Sequence, residues 1–248
     1  MSIDQGIALL SSIGACMAAI ATFLTVLQIS KQRRASYRPE LVLSRTPFEG
    51  GTAEAANCRL PDLWNAQRQD NEADEKAKPA RDWSFLAVPL ANIGLGAARG
   101  VNVSWSFPIE DLADQLNKRA QQTLTPAYFT FVNGVFSLKS ERLGNWTSLW
   151  LNQKSEHVDF VVPIAIQRDL LMLKIPHAYV AGVSALLVLG VDQKDSSFPD
   201  IPSLCVELEY SDIANERYSS SFEIEFHLVM IGDKGQTIRG YLEPRKRE

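Results

Sequence analysis

From Ile7 to Ser30 the chain carries no Asp, Glu, Lys, Arg or His, and this uncharged run constrains the fold more than any other feature. Ile7 to Ile29 spans 23 residues, which as a helix reaches roughly 34 Å at about 1.5 Å per residue. A bilayer hydrocarbon core is about 30 Å thick, so the run can cross it with some tilt. No water is present there to satisfy the backbone, so the segment must be helical. A secretory signal needs a basic start and an apolar stretch of about 7–15 residues; Met1 to Gly6 has no Lys or Arg, and the run is longer. The tetrad Ile13–Cys16 resembles a lipoprotein processing site, yet apolar residues continue well past Cys16. A core helix of this length without a charge is also disfavoured. The sequence predicts a transmembrane anchor over residues 1–30.

The flanking charges predict its direction. Lys31, Arg33, Arg34 and Arg38 follow the run and no basic residue precedes it. The positive-inside rule then places the N-terminus outside and the rest of the chain in the cytoplasm, anchored in the cytoplasmic (inner) membrane. These basic side chains, in a juxtamembrane linker of residues 31–38, are expected to meet anionic lipid headgroups. Within the span, Ser11 with Ala15, Gly14 with Ala18 and Ala15 with Ala19 repeat small residues at four-residue spacing. Such spacing lets two helix backbones approach, so self-association through this face is expected.

Composition narrows the partners. A net charge of −4 gives no electrostatic reason to expect nucleic acid. The three cysteines, Cys16, Cys58 and Cys205, are odd in number and irregularly spaced, which speaks against a disulfide framework and fits a reducing compartment. No CxxC, HExxH or Cys/His cluster occurs, and neither a metal nor another cofactor is expected.

From Pro39 the apolar period becomes two. Leu41 and Leu43 alternate with polar neighbours as in a half-buried strand. Residues 50–82 are charged and alanine-rich and read as a polar insertion in a 39–248 domain. Beyond it Leu86, Val88 and Leu90 alternate, the segment "NIGLGAARG" intervenes, and Val101, Val103, Trp105 and Phe107 alternate again. Gly94, Gly96 and Gly100 approach a nucleotide-loop spacing, but such a loop must open a helix and here a strand follows. They are expected to supply φ > 0 in a turn or bulge, and Pro89 to mark an edge strand or a bulge.

Pro108 opens an amphipathic helix with Ile109, Leu112, Leu116 and Ala120 on its apolar stripe and Glu110 and Asp111 in its first turn. Asn133-Gly134 signals a type I′ hairpin. The next strand is read with Val158, Phe160, Val162, Ile164 and Ile166 inward. A short buried helix is expected around Tyr179, Val183, Leu186 and Leu187, an apolar strand being the alternative. In the last third, Val206, Leu208 and Tyr210, then Phe222, Ile224, Phe226 and Leu228, alternate with acidic residues. All inward positions are even, so antiparallel partners must sum to an even number. Glu207, Glu209, Glu223, Glu225 and His227 then share the outer face, which reads as acidic.

Many short strands and few helices predict an antiparallel, immunoglobulin-like β-sandwich with one or two short helices behind the anchor. This layout resembles, at class level only, bacterial single-pass proteins with a cytoplasmic β-sandwich. No G-x-S-x-G elbow marks a nucleophile, and His157, His177 and His227 fall in separate segments. Glu223, Glu225 and His227 could hold a divalent cation. A solvated strand face is the preferred reading, because successive outward residues lie roughly 6.6 Å apart. The basic tail "EPRKRE" is a second, weaker candidate for lipid contact. The leading expectation is a membrane-anchored, non-enzymatic binding or signalling module with a protein or small-ligand partner. The alternatives are a membrane-perturbing effector activated by clustering and a tethered enzyme with a dispersed site.

Overall fold

The computed structural model describes residues 3–51, 60, 63–66, 85–191, 199–232 and 237–247, with residues 3–11, 33–36 and 63–66 described in backbone alone. Helix α1 runs Ile3–Ser36 without interruption. Its apolar portion, Ser12–Gln32, is long and apolar enough to cross a membrane and is wholly exposed. Thr22 and Thr25 donate their hydroxyls to the carbonyls of Ala18 and Ala21, each at 2.8 Å. Both threonine hydroxyls in the run are thereby satisfied within the helix. The basic segment read as a linker instead extends the helix to Ser36. Leu60 and strand β3 (Leu63–Ala66) are the described parts of the expected polar insertion at 50–82 beyond Gly51; the rest of it, and Cys58, lie outside the described residues.

Strands β1 (Leu41–Leu43), β4 (Ala87–Asn92) and β10 (Leu171–Lys174) form a small antiparallel sheet in the order β1-β4-β10. Opposite it lies a sheet of seven strands. Its order is β3, β2 (Thr46–Gly51), β13 (Thr237–Arg247), β12 (Arg217–Gly232), β11 (Leu204–Ser211), β5 (Ala98–Ser106) and β9 (Ser155–Val161). Val103, Leu208, Ile224 and Leu242 from the large sheet share one core with Leu41, Val88 and Leu173 from the small one. Helix α3 (His177–Val191) closes that core with Tyr179, Val183 and Leu187.

The opposite side of α3, with Ala178, Ala185, Leu186 and Leu189, joins a second core. That core is built from α2 (Ile109–Gln122) and the sheet β6 (Ala127–Val132), β7 (Val135–Ser140) and β8 (Trp146–Leu149). Apolar on every side, α3 is buried on every side, which explains why its sequence shows no polar stripe. Asn117 on α2 clamps β6: its amide donates to the Phe129 carbonyl at 2.8 Å and accepts from the Phe129 N–H at 2.9 Å.

Several expectations hold in detail. The stripe of α2 is buried as read, with Ala113 added. Asn133 and Gly134 turn β6 into β7 with φ of 53° and 74°. Leu204 pairs Ile224, Val206 pairs Phe222 and Leu208 pairs Ser220, so the even parity between β11 and β12 is observed. A bulge between Leu228 and Met230 then shifts the β12–β13 register.

Other readings change. The observed division of seven and three strands over the facing sheets differs from the four-and-three division of an immunoglobulin constant domain. Pro89 lies in β4, the central strand rather than an edge. Its carbonyl accepts the Ser44 N–H at 3.1 Å, so its missing donor faces the same side, where β1 has already ended at Leu43 and no ladder bond is lost. Of the three glycines, only Gly100 has positive φ, 56°. It sits where β11 and β5 lose register between Glu209 and Ser211.

That bulge also corrects the inward set of β9. The buried phase of β5 switches from Ala98 to Val101 across Gly100, and β9 follows: Val158 is half-buried and Val161 buried, whereas Phe160 is 66% exposed. The strand ends at Val161, ahead of Pro163, and Ile164 and Ile166 lie exposed in the turn that follows.

Candidate functional site

Helix α1 joins the domain through one buried amide. Asn92, at the end of β4, is 1% exposed. Its side-chain oxygen accepts the Glu40 and Gly94 N–H groups, each at 3.1 Å, and its nitrogen donates to the carbonyls of Gly96 at 2.7 Å and Val161 at 3.0 Å. The Ile93 N–H donates to the Glu40 carbonyl at 2.9 Å. Three separate segments are thereby tied together: the chain leaving α1, the 93–97 connector and the end of β9. Gly94 and Gly96 allow it, because a Cβ there would overlap the backbone of residues 37–40. They are glycines for close approach rather than for φ.

Two depressions adjoin this junction. One, of about 400 Å³, is lined by Arg38, Pro39, Glu40, Gly94, Leu95, Tyr210, Ser219, Ser220 and Lys246. The other, of about 470 Å³, shares Tyr210 and Ser219 and adds Gly100, Asn102, Glu209, Arg217 and Tyr218. Both volumes fall within the roughly 300–1,000 Å³ of small-molecule sites. Tyr210 and Tyr218 stack with ring centroids 5.7 Å apart, and the Arg38 guanidinium lies 4.8 Å from the Tyr218 ring centre. The Tyr218 hydroxyl donates to Glu216 at 2.9 Å and approaches Asp212 at 3.2 Å. Desolvation, then these two carboxylates, pushes its pKa up to about 12, so it remains a neutral donor across the ordinary pH range. Arg38, expected at the headgroups, is exposed and lies over the Tyr218 ring of the domain.

The outer face of the large sheet carries the expected glutamates, but the C-terminal strand answers them. Glu223 pairs with Arg247 at 3.1 Å and accepts the Ser203 hydroxyl. The Ser203 bond, then Arg247, holds its carboxyl below the ordinary value, against an opposing desolvation. Glu225 meets Arg245 at 2.8 Å, and His227 Nε2 lies 3.0 Å from both Glu225 and Glu243. Arg239 pairs Glu49 at 2.8 Å. The face alternates in sign because "EPRKR" is the end of strand β13, whose Arg245 and Arg247 pair with the glutamates of β12. Glu225, His227 and Glu243 are close enough to share a cation, but Arg245 already serves both carboxylates. Glu207 and Glu209 are exposed on β11, opposite Ser221 and Ser219.

In α1, Gly14, Ala15, Ala18 and Ala19 are exposed on adjacent turns, and a Cβ at Gly14 would meet nothing within 4 Å. The side chains of Ser11, Arg33 and Arg34 lie outside the description; Lys31 is exposed. The histidines are dispersed over β9, the start of α3 and β12. Comparison with protein-family models, curated proteins and solved structures finds no match.

Sequence reasoning missed Asn92, Tyr218 and Arg217. The signal for Asn92 was a lone amide at an inward position at the end of an apolar strand, where burial demands partners.

Proposed function

We propose that the protein is a single-pass, membrane-anchored binding or signalling module that performs no catalysis. In this reading the N-terminus lies outside the cytoplasmic membrane and a sandwich-type β domain, immunoglobulin-like in the broad sense, lies in the cytoplasm. One observation carries the proposal: the chain leaving the span, Arg38 to Glu40, forms a wall of the 400 Å³ depression. A ligand seated there touches the anchor's exit and the domain together, so binding and anchor geometry are linked. Arg38 and Lys246 against the single carboxylate Glu40 here, and Arg217 with the Tyr210–Tyr218 pair beside Glu209 in the adjoining depression, favour a small anionic or aromatic ligand, or a peptide bearing such a group.

The test is a thermal-shift screen of the full chain in lipid nanodiscs, with each hit followed by mass spectrometry. Stabilising ligands should be recovered unchanged and lose their effect in Lys246→Glu. A hit consumed with turnover contradicts the reading.

A second reading is favoured by the unbroken α1, which passes from the small-residue stripe to the junction without a hinge. Clustering of domains would drive the spans together and perturb the bilayer. Gly14→Leu with Ala18→Leu should then abolish toxicity on overexpression, and unchanged toxicity argues against it.

A further inference from the structure

The end of the domain that holds the anchor exposes several large apolar side chains. Tyr37, Ile93, Leu95, Phe160, Ile164 and Ile166 are all at least 40% exposed. They are neighbours by construction. Ile93 and Leu95 flank Gly94 in the connector pressed on residues 37–40. The Ile164 N–H donates to the Asn92 carbonyl at 2.9 Å, and Asn92 and Pro163 form a parallel bridge, so the 163–166 turn runs beside the connector. Phe160 and Ile164 line one shallow depression with Asn92. Contiguous apolar surface on a soluble face marks an interaction site.

The occupant follows from position. From Ser30 to Ser36 the helix rises only about 9 Å at 1.5 Å per residue, and the headgroup layer adds roughly 5–8 Å beyond the hydrocarbon on each side. Residues 37–40 therefore emerge at the outer edge of the headgroups, and the connector is hydrogen-bonded to them. Arg38 and Lys246 border the same tip, as interfacial docking surfaces prefer. Glu40 lines the same depression and Asp169 that of Phe160 and Ile164, so the net charge is small and apolar contact dominates.

We propose that the 93–96 connector, the 163–166 turn and Phe160 form a membrane-docking face that seats the β domain on the bilayer surface beside its own span. This rests on the anchored reading above and adds an orientation to it. A domain so seated presents the depression lined by Arg38 and Lys246 at headgroup level.

The test uses the full chain, with its native cysteines replaced, reconstituted one copy per nanodisc. An environment-sensitive fluorophore is placed at Leu95→Cys, Ile166→Cys or, on the exposed side of β7, Lys139→Cys. Docking predicts blue-shifted emission at the first two sites, quenched by lipids carrying spin labels near the headgroup and insensitive to high salt; at Lys139→Cys neither occurs. Adding Ile93→Asp and Ile164→Asp should abolish the quenching at Ile166→Cys.

Alkaline carbonate extraction of the same protein separates the two claims. Retention with no quenching overturns docking and leaves the anchor standing, whereas release overturns both. Quenching at all three sites also overturns the proposed face. A blue shift that appears only with two copies per disc, without lipid quenching, assigns the face to a second copy and overturns the lipid proposal.

Discussion

Asn92→Ala should cost far more stability than an ordinary loop substitution, and the structure sets the amount. The carbonyls of Gly96 and Val161 receive their amide bonds in buried surroundings, so losing the donor leaves two acceptors unpaired away from water. The Glu40 and Gly94 N–H groups are only part-buried and can recover some hydration. With about 1–2 kcal/mol for each buried group and about half that for each part-buried one, the change costs about 3–6 kcal/mol. Asn92→Asp separates hydrogen-bond polarity from shape: it keeps the acceptor but turns an oxygen toward two carbonyls, so it should be at least as damaging. Urea unfolding of the full chain in detergent reads this as a midpoint fall of about 1–2.4 M, given a slope of roughly 2.5–3 kcal/mol/M. An Asn92→Asp variant as stable as wild type, or an Asn92→Ala cost below about 1 kcal/mol, would refute the assignment of Asn92 as the junction's organising group.

Gly96→Ala should destabilise the domain strongly, because the new Cβ overlaps the Tyr37 carbonyl, whereas Gly14→Ala should leave domain unfolding unchanged; parallel urea melts decide. Phe160→Asp should unfold at the same denaturant concentration as wild type and Val161→Asp far earlier, following their opposite burial; equal effects would contradict the observed phase of β9. Glu223 has a depressed folded pKa, so its contribution is present above the ordinary carboxylate value of 4.5 and lost as pH falls below it. Being largely solvated, the pair is worth under about 1 kcal/mol. Glu223→Gln should flatten stability below that pH by that small amount and leave the slope above it unchanged.

What the sequence revealed and concealed follows from the range of each interaction. The parity of β11 and β12 was readable because two long alternating runs determine it by themselves. The burial of α3 was readable because a run whose middle is apolar but for Ser184 has few other places to go. Asn92 was not, since its partners Glu40 and Val161 lie 52 and 69 residues away. The phase of β9 was misread because the bulge that sets it is at Gly100 on a different strand. The last strand escaped notice because its apolar positions fade into "EPRKR", and only pairing with β12 gives those basic residues their glutamate partners. The acidic face was therefore half of a charge-paired surface.

The central claim is that one helix anchors the chain with its β domain in the cytoplasm, and side-specific labelling in intact bacterial cells tests it most directly. With native cysteines replaced, a membrane-impermeant maleimide should label Ser2→Cys in intact cells and Lys139→Cys only after lysis, the protein staying with the membrane through alkaline extraction. Labelling of Lys139→Cys from outside, or release of the full chain into the alkaline supernatant, would contradict it.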